Sequence, residues 1–189
     1  MADPLHPAVR RVVAAAARKG IDLRVTVLAA SSHTAEDAAR ALGVQLGQIV
    51  KSLVFVAPGE AEEPRPILCL VAGTNRVDLA RLAAVTGEPA IRRASAREAR
   101  ELSGFPIGGI PPIGHGRPMQ AVMDPDLDAF PVIWAAAGQD GAVFPVEPAT
   151  LRALANAVVA PIAARSPADP CGPAVDDGTA IRPGRGQPR

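Results

Sequence analysis

Ile49-Val50-Lys51-Ser52-Leu53-Val54-Phe55-Val56 is a run of β-branched and aromatic residues interrupted by one lysine. It reads as a buried strand. An ammonium in such a run needs a cavity, a phosphate or a carboxylate, because an unpaired buried charge is costly. Read alone, a strand lysine is as readily an edge residue whose head reaches water. Downstream, Pro58 to Pro66 is rich in Glu, Gly and Pro. That composition predicts a hairpin connection into a second apolar strand, Ile67-Leu68-Cys69-Leu70-Val71. Upstream, Thr34 with Asp37 approximates a capping box for a helix to Leu42, with Gly43 past its end. The lysine strand follows from Gln45.

The same signals extend in both directions. Asp3-Pro4 predicts an N-cap and first turn for a helix to about Lys19, stopped by Gly20 and burying Val9, Val12, Val13 and Ala16. Ile21 to Leu28 alternates apolar and polar residues, as a half-exposed strand does. Asp78 caps a helix to about Thr86, and Ala90-Ile91-Arg92 reads as a short strand. Ser95 with Glu98 forms a capping box for a helix ending before Gly104. Strands follow at Gln120–Met123 and Val132–Ala135, separated by a helical turn after Asp124-Pro125. Gln139-Asp140-Gly141 turns into a strand at Ala142–Val146, and Pro148 opens a last helix to about Val158. Hairpins and helices in this mixture give an α+β fold, a mixed curved sheet flanked by helices. Residues 1–163 form the domain. From Ser166 onward five prolines and four glycines fall among 24 residues, so 164–189 is expected to be a Pro/Gly-rich disordered tail.

The second informative stretch is Gly108-Gly109-Ile110-Pro111-Pro112-Ile113-Gly114-His115. Its prolines stiffen it and its glycines leave backbone N–H groups approachable by a ligand. Alone it reads as a turn. Paired with Lys51 it offers a cation and exposed amides, which suit an anionic or carbonyl-bearing ligand. In their order along the chain, the Val-Lys-Ser-Leu strand and the Gly-Gly-x-x-Pro-x-Gly loop resemble the YbaK/ProX family. These are free-standing relatives of the editing domain inserted in bacterial prolyl-tRNA synthetases, and the resemblance covers about residues 5 to 160. It implies the same α+β architecture, partly barrel-like, and a trans-editing aminoacyl-tRNA deacylase. In that family the lysine and the Gly-x-x-x-Pro loop line the deacylation pocket, matching Lys51 and Gly108 through Pro112.

The chemistry the residues permit agrees with that implication. There is no Gly-x-Ser-x-Gly elbow, Walker loop or dinucleotide fingerprint. Three histidines and two cysteines are scattered without metal-ligand spacing, and no cofactor is implied. Cys69 lies in an apolar strand with no basic partner nearby in sequence and reads as core. Water is then the nucleophile, and positioning and electrostatics supply the rate. The amides of Gly108 and Gly109 are expected to hold an oxyanion or ribose, and Lys51 a phosphate or developing charge. Ile110, Pro111, Pro112, Gly114, His115, Ser52 and Asp140 are the candidate substrate-binding residues. A histidine after such a loop is more often a surface residue, and Asp140 reads more readily as part of an ordinary Asp-Gly hairpin turn. Ser52 is adjacent to the lysine and points to the opposite sheet face unless a bulge intervenes.

Two departures concern specificity. The cysteine-editing members of the family carry Ser where Pro111 stands, and the alanine-editing members usually follow the lysine with Asn, where Ser52 stands. The expected substrate is therefore another small misacylated residue (Ser, Thr, Ala or a non-protein analogue), carried on tRNA for proline. A non-catalytic module binding tRNA ends, nucleotides or a protein through the same pocket is the alternative.

Net charge is +1, far from the balance of a protein that coats nucleic acid. Contact with tRNA is expected to be confined to the acceptor end, through Arg97 and Arg100. The competing reading pairs Arg92, Arg93, Arg97 and Arg100 with Glu98 and Glu101 on a solvated helix face. Without a membrane-length apolar run or secretory leader, and with only two cysteines, the sequence reads as a cytoplasmic protein without membrane contact. It is expected to be a monomer or weak dimer, with prolyl-tRNA synthetase as a further partner.

Overall fold

The computed structural model describes residues 5–28, 34–59 and 63–164. Its elements run α1 (Pro7–Ala17), β1 (Thr26–Val27), α2 (Ala35–Leu42), β2 (Val50–Ala57), β3 (Arg65–Ala72), α3 (Leu79–Thr86) and β4 (Arg92–Arg93). They continue with α4 (Ala96–Ser103), β5 (Gln120–Met123), β6 (Ile133–Ala136), β7 (Ala142–Val146), α5 (Pro148–Ala155) and β8 (Val158–Val159). The hairpin expected around Pro58–Pro66 forms, with β2 and β3 antiparallel in a register that sets Lys51 opposite Val71 and Ser52 opposite Leu70. The mixed sheet divides in two. One part has the order β4-β2-β3-β5-β8 and the other β1-β7-β6. An isolated parallel bridge from Ile49 to Trp134 joins them.

Alternation along β2 assigns its faces. Phe55 and Ala57 pack with Ile67, Cys69 and Val71 against Leu82 of α3 and Ile162. Val50, Val54 and Val56 face the other way, with Leu68 and Leu70, toward Ile133, Ala135 and Phe144 of the smaller sheet. Helices α1, α4 and α5 close this larger core through Val9, Val12, Leu102 and Leu151. Covered on both faces, β3 reads as a continuous apolar run. Among the described residues no helix is long and apolar enough to cross a membrane.

Locally determined features sit where the sequence places them. The Thr34 hydroxyl accepts the Asp37 N–H at 3.1 Å. Ser95 accepts the Glu98 N–H at 3.3 Å while the Glu98 carboxylate accepts the Ser95 N–H at 2.8 Å. Asp78 accepts the N–H groups of Ala80 and Arg81.

Tertiary features differ from the expectation. Helix α1 starts at Pro7, where His6 Nδ1 accepts the Ala8 N–H at 3.2 Å, whereas Asp3-Pro4 lies outside the described residues. It ends at Ala17 rather than Lys19, and Val13 is only half-buried. Of Ile21–Leu28, only Thr26 and Val27 pair as a strand, because β7 meets the segment at Val143 and Ala142 alone. The strand expected at Ala90–Arg92 is Arg92–Arg93. Helix α5 stops at Ala155, where Asn156 turns left-handed at φ 50°. The Ala157 N–H then reaches back to the Arg152 carbonyl at 3.0 Å. Val158 and Val159, expected in that helix, instead pair parallel with Val122 and Met123.

Asp124 holds the returning chain. It is 1% exposed, and its Oδ2 accepts the N–H groups of Ile162 at 2.9 Å and Ala163 at 2.7 Å. Its Oδ1 accepts the Asp126 N–H at 3.1 Å. Burial pushes its pKa up, and these hydrogen bonds oppose the rise. The chain is anchored as far as Ala164, whose N–H bonds the Arg76 carbonyl at 2.7 Å. Of the tail expected over 164–189, Ala164 is thus held to the domain, and the rest lies outside the described residues.

Asp124→Ala leaves buried N–H groups without an acceptor, so urea unfolding should show a loss of about 2–4 kcal/mol. A loss below about 0.5 kcal/mol, the range of an ordinary surface substitution, would show that the clamp is not needed.

Candidate functional site

Strand β2 has a neighbour on one edge for its whole length, but β4 covers its other edge only at Phe55 and Val56. The Ala94 N–H extends that cover to the Val54 carbonyl at 3.0 Å. The bridge at Ile49 closes the far end. Between them, residues 51–53 face a cavity of about 410 Å³, a size suited to a small-molecule site. Its apolar wall includes Ala38 of α2, Ile49, Val54, Ala99 of α4, Ile110 and Val143 of β7. Lys51, Ser52, Arg93, Gly108 and Asp140 supply polar groups.

Lys51 is half-buried, and its ammonium donates to the Asn75 carbonyl at 2.5 Å. That backbone acceptor was not among the three partners expected of it. Burial lowers the lysine's pKa most; Glu36 opposes this, and Arg76 and Arg93 add to it. Ser52 sits on the opposite face of β2, in line with Val50 and Val54. Among the described residues no group hydrogen-bonds its buried Oγ.

The loop after α4 begins with a turn in which the Gly109 N–H donates to the Pro106 carbonyl at 3.1 Å. Gly108 occupies the third position at φ +85°, the left-handed conformation that a type II turn requires. A side chain on Gly108 would also stand 3.2 Å from Asp140 Oδ1. Gly109 does not line the cavity: its amide closes the turn and its Cα packs on the Gln139 backbone, 2.6 Å from where a Cβ would stand. Pro111 and Pro112 are buried beneath the loop.

The loop's far end turns away from this cavity. Pro112, Gly114 and His115 line a second cavity of about 530 Å³, with Arg18, Lys19 and Arg117. His115 Nε2 lies 2.7 Å from the Pro111 carbonyl. A carbonyl only accepts, so Nε2 carries the proton. The ring meets Phe105 edge-on at 6.1 Å, and burial holds its pKa below the ordinary value. His115 thus fastens the loop to its own backbone.

Arg97 and Arg100 lie on α4 outside both cavities. Arg97 Nε donates to Glu101 at 2.8 Å, and Arg92 makes two hydrogen bonds with Glu98. Arg92 and Ser95 hold the Glu98 carboxyl well below the usual carboxylate range. The ion pairing weighed against the tRNA role therefore forms at Arg92 and Arg97. Burial pushes the Cys69 thiol up to about 12, which removes it as a nucleophile. Among the described residues no three His, Cys, Asp or Glu side chains gather as metal ligands.

Several cavity residues carried no signal in isolation. Trp134 and Ala136 line the wall while Ile133 and Ala135 enter the core, so period-2 alternation in β6 points to them in retrospect. Thr34, Ala35 and Ala38 present one face of α2, at the spacing of a single helix stripe.

A family model described as the aminoacyl-tRNA editing domain matches residues 29–154. A proline–tRNA ligase of Limosilactobacillus fermentum is 31% identical over 110 residues, 58% of this chain and 19% of the ligase. The chain thus corresponds to about a fifth of that enzyme. EbsC of Enterococcus faecalis, a candidate Cys-tRNA(Pro)/Cys-tRNA(Cys) deacylase, is 26% identical over 68% of this chain and 76% of its own. A crystal structure described as a candidate trans-editing enzyme for prolyl-tRNA synthetase superposes with a TM-score of 0.77 and 46% identity, over 85% of this chain and 99% of that one.

The His115 contacts have a pH signature. Its folded pKa lies below 6.5, so as pH falls just below that value the unfolded chain takes up the proton first and stability drops. Thermal unfolding between about pH 7 and 5.5 should show this, and His115→Gln should flatten the dependence. An unchanged dependence in the variant would mean that another group titrates.

Proposed function

The chain belongs to the aminoacyl-tRNA editing domain family, and on that premise we propose that it is a trans-acting aminoacyl-tRNA deacylase. It clears a mischarged small amino acid from tRNA for proline, correcting errors of prolyl-tRNA synthetase. The observation that carries the reading is the convergence of Lys51, Ser52, Gly108 and Asp140 on one largely apolar cavity. The relatives named for prolyl-tRNA editing support the choice of substrate.

In the reaction, water adds to the ester carbonyl, the acyl C–O bond to the ribose breaks, and the ribose oxygen takes a proton. A free amino acid and an uncharged tRNA result. The ester is already activated, so the protein's task is to hold the carbonyl and favour the oxyanion. Gly108, whose N–H the turn does not consume, is placed to donate to that oxygen. Lys51 swings from the Asn75 carbonyl to the terminal phosphate or developing charge. The apolar wall fits a small side chain and excludes a large one.

Arg97 and Arg100 grip the acceptor-end phosphates. The Arg97–Glu101 pair is 87% and 60% exposed, and an exposed pair is weak enough to be exchanged for phosphate. A net charge of only +1 keeps the contact local.

Two measurements test the reading. Lys51→Ala should slow single-turnover deacylation of mischarged tRNA by about 10²–10³ with the melting temperature preserved. A wild-type rate would place the chemistry elsewhere. Arg97→Ala with Arg100→Ala should weaken tRNA binding and lower its salt dependence by a slope of about one to two, yet spare a short aminoacyl-ester mimic. Equal losses on both substrates would show that the arginines shape the fold.

A further inference from the structure

The Lys51 ammonium rests on a backbone carbonyl, so its position is set by whatever orients that peptide. The carbonyl belongs to Asn75, in the turn that leaves β3, where the Asn75 N–H donates to the Ala72 carbonyl at 2.9 Å. Ala72 pairs with Val50, so the turn stands at the end of the strand pair next to Lys51. The Asn75 side chain is held from two sides. The Thr74 hydroxyl donates to Asn75 Oδ1 at 3.1 Å, and Asn75 Nδ2 donates to Asp126 Oδ2 at 2.6 Å. A carboxylate only accepts, which fixes the orientation of the amide, and a hydrogen bond to a charged acceptor is of the stronger kind. Asp126 comes from the segment after β5, 51 residues away in sequence. Its own N–H donates to the buried Asp124 Oδ1 at 3.1 Å. A run of hydrogen bonds thus leads from Asp124 through Asp126 and Asn75 to Lys51.

Asp126 is exposed and is not among the residues that line the cavity, so it acts on the site only through Asn75. The lysine needs such a constraint. Its ammonium sits on a flexible four-carbon stem, with Glu36 of α2 attracting it and Arg76 and Arg93 repelling it. A fixed acceptor decides among these directions. Resting on the deacylase reading, we propose that Asp126 is a positioning residue: through the Asn75 side chain it fixes the carbonyl that holds Lys51 beside the open edge of β2. A displacement of about 1 Å in such a group can cost 10²-fold in rate.

Lys19 and Lys51 are the only lysines in the sequence, so protein labelled with 13C at lysine Cε gives two NMR signals. Lys19, whose ammonium donates to the carbonyls of Ala153 and Leu154, is the internal reference. In Asp126→Ala the titration midpoint of Lys51 should fall by about half a unit or more while that of Lys19 stays, because an acceptor that favours the charged form is loosened. Asp126→Asn keeps an oxygen for the Asn75 amide and should recover most of the shift. Asp126→Ala should also slow single-turnover deacylation of mischarged tRNA by about tenfold. In a Lys51→Ala background the same substitution should cost nothing further, since a residue that acts through another is not additive with it. If no ester is hydrolysed but the Lys51 signal answers to Asp126, the deacylase reading fails and the positioning role stands. An unmoved Lys51 signal in Asp126→Ala, or the same tenfold loss repeated in the Lys51→Ala background, overturns it.

Discussion

The incomplete cover on one edge of β2 is the constraint on which the rest of the structure depends. Eight residues pair with β3, which fixes the strand, while β4 and the Ile49 bridge touch the other edge only near its ends. A sheet that closed fully there would have no cavity. Because it does not, the smaller sheet stands off from the larger one, and α2 and the turn at Gly108 border the opening. The core on either side of β3 keeps the strand rigid, so the open edge does not collapse.

Polar groups are then distributed by the alternation of a single strand. Lys51 and Ser52 are neighbours in sequence but belong to opposite faces. The lysine lies at the end of the face that carries α3, with its ammonium on the Asn75 carbonyl. The serine's buried hydroxyl lies on the face of the larger core. One residue of register shift would flip the whole strand and turn the ammonium toward the core of Leu68, Leu70 and Ile133. The β2–β3 register therefore protects both the core and the placement of charge. Gly108 completes the arrangement because only a residue at ease at φ +85° can bring the turn so near Asp140.

What the sequence makes legible is what short stretches determine. The capping residues Thr34, Asp78 and Ser95 act on N–H groups two or three residues away, so their helices are readable without the fold. The β2–β3 hairpin is readable because both strands are apolar and the connection is not. The end of α5 is not, since Val158 and Val159 leave the helix to pair with β5, a partner far away in sequence. The candidate site divides in the same way. Lys51, Ser52, Ile110, Gly108 and Asp140 reach one cavity. Pro112, Gly114 and His115, although contiguous with them in the motif, fall on the far side of the loop. Which side a loop residue faces depends on what packs against it. Here that is Phe105 and the Pro111 carbonyl, neither of which a motif specifies.

The account's central claim is that the aminoacyl end binds at the open edge of β2. A crystal structure of the protein with the non-hydrolysable 3′-seryl-amide of adenosine tests it most directly. The amino-acid moiety should lie between β2 and the Gly108 turn, with its ribose toward Lys51. Density for the ligand in the second cavity, beside His115 and Arg117, with the β2 edge unchanged, would contradict it.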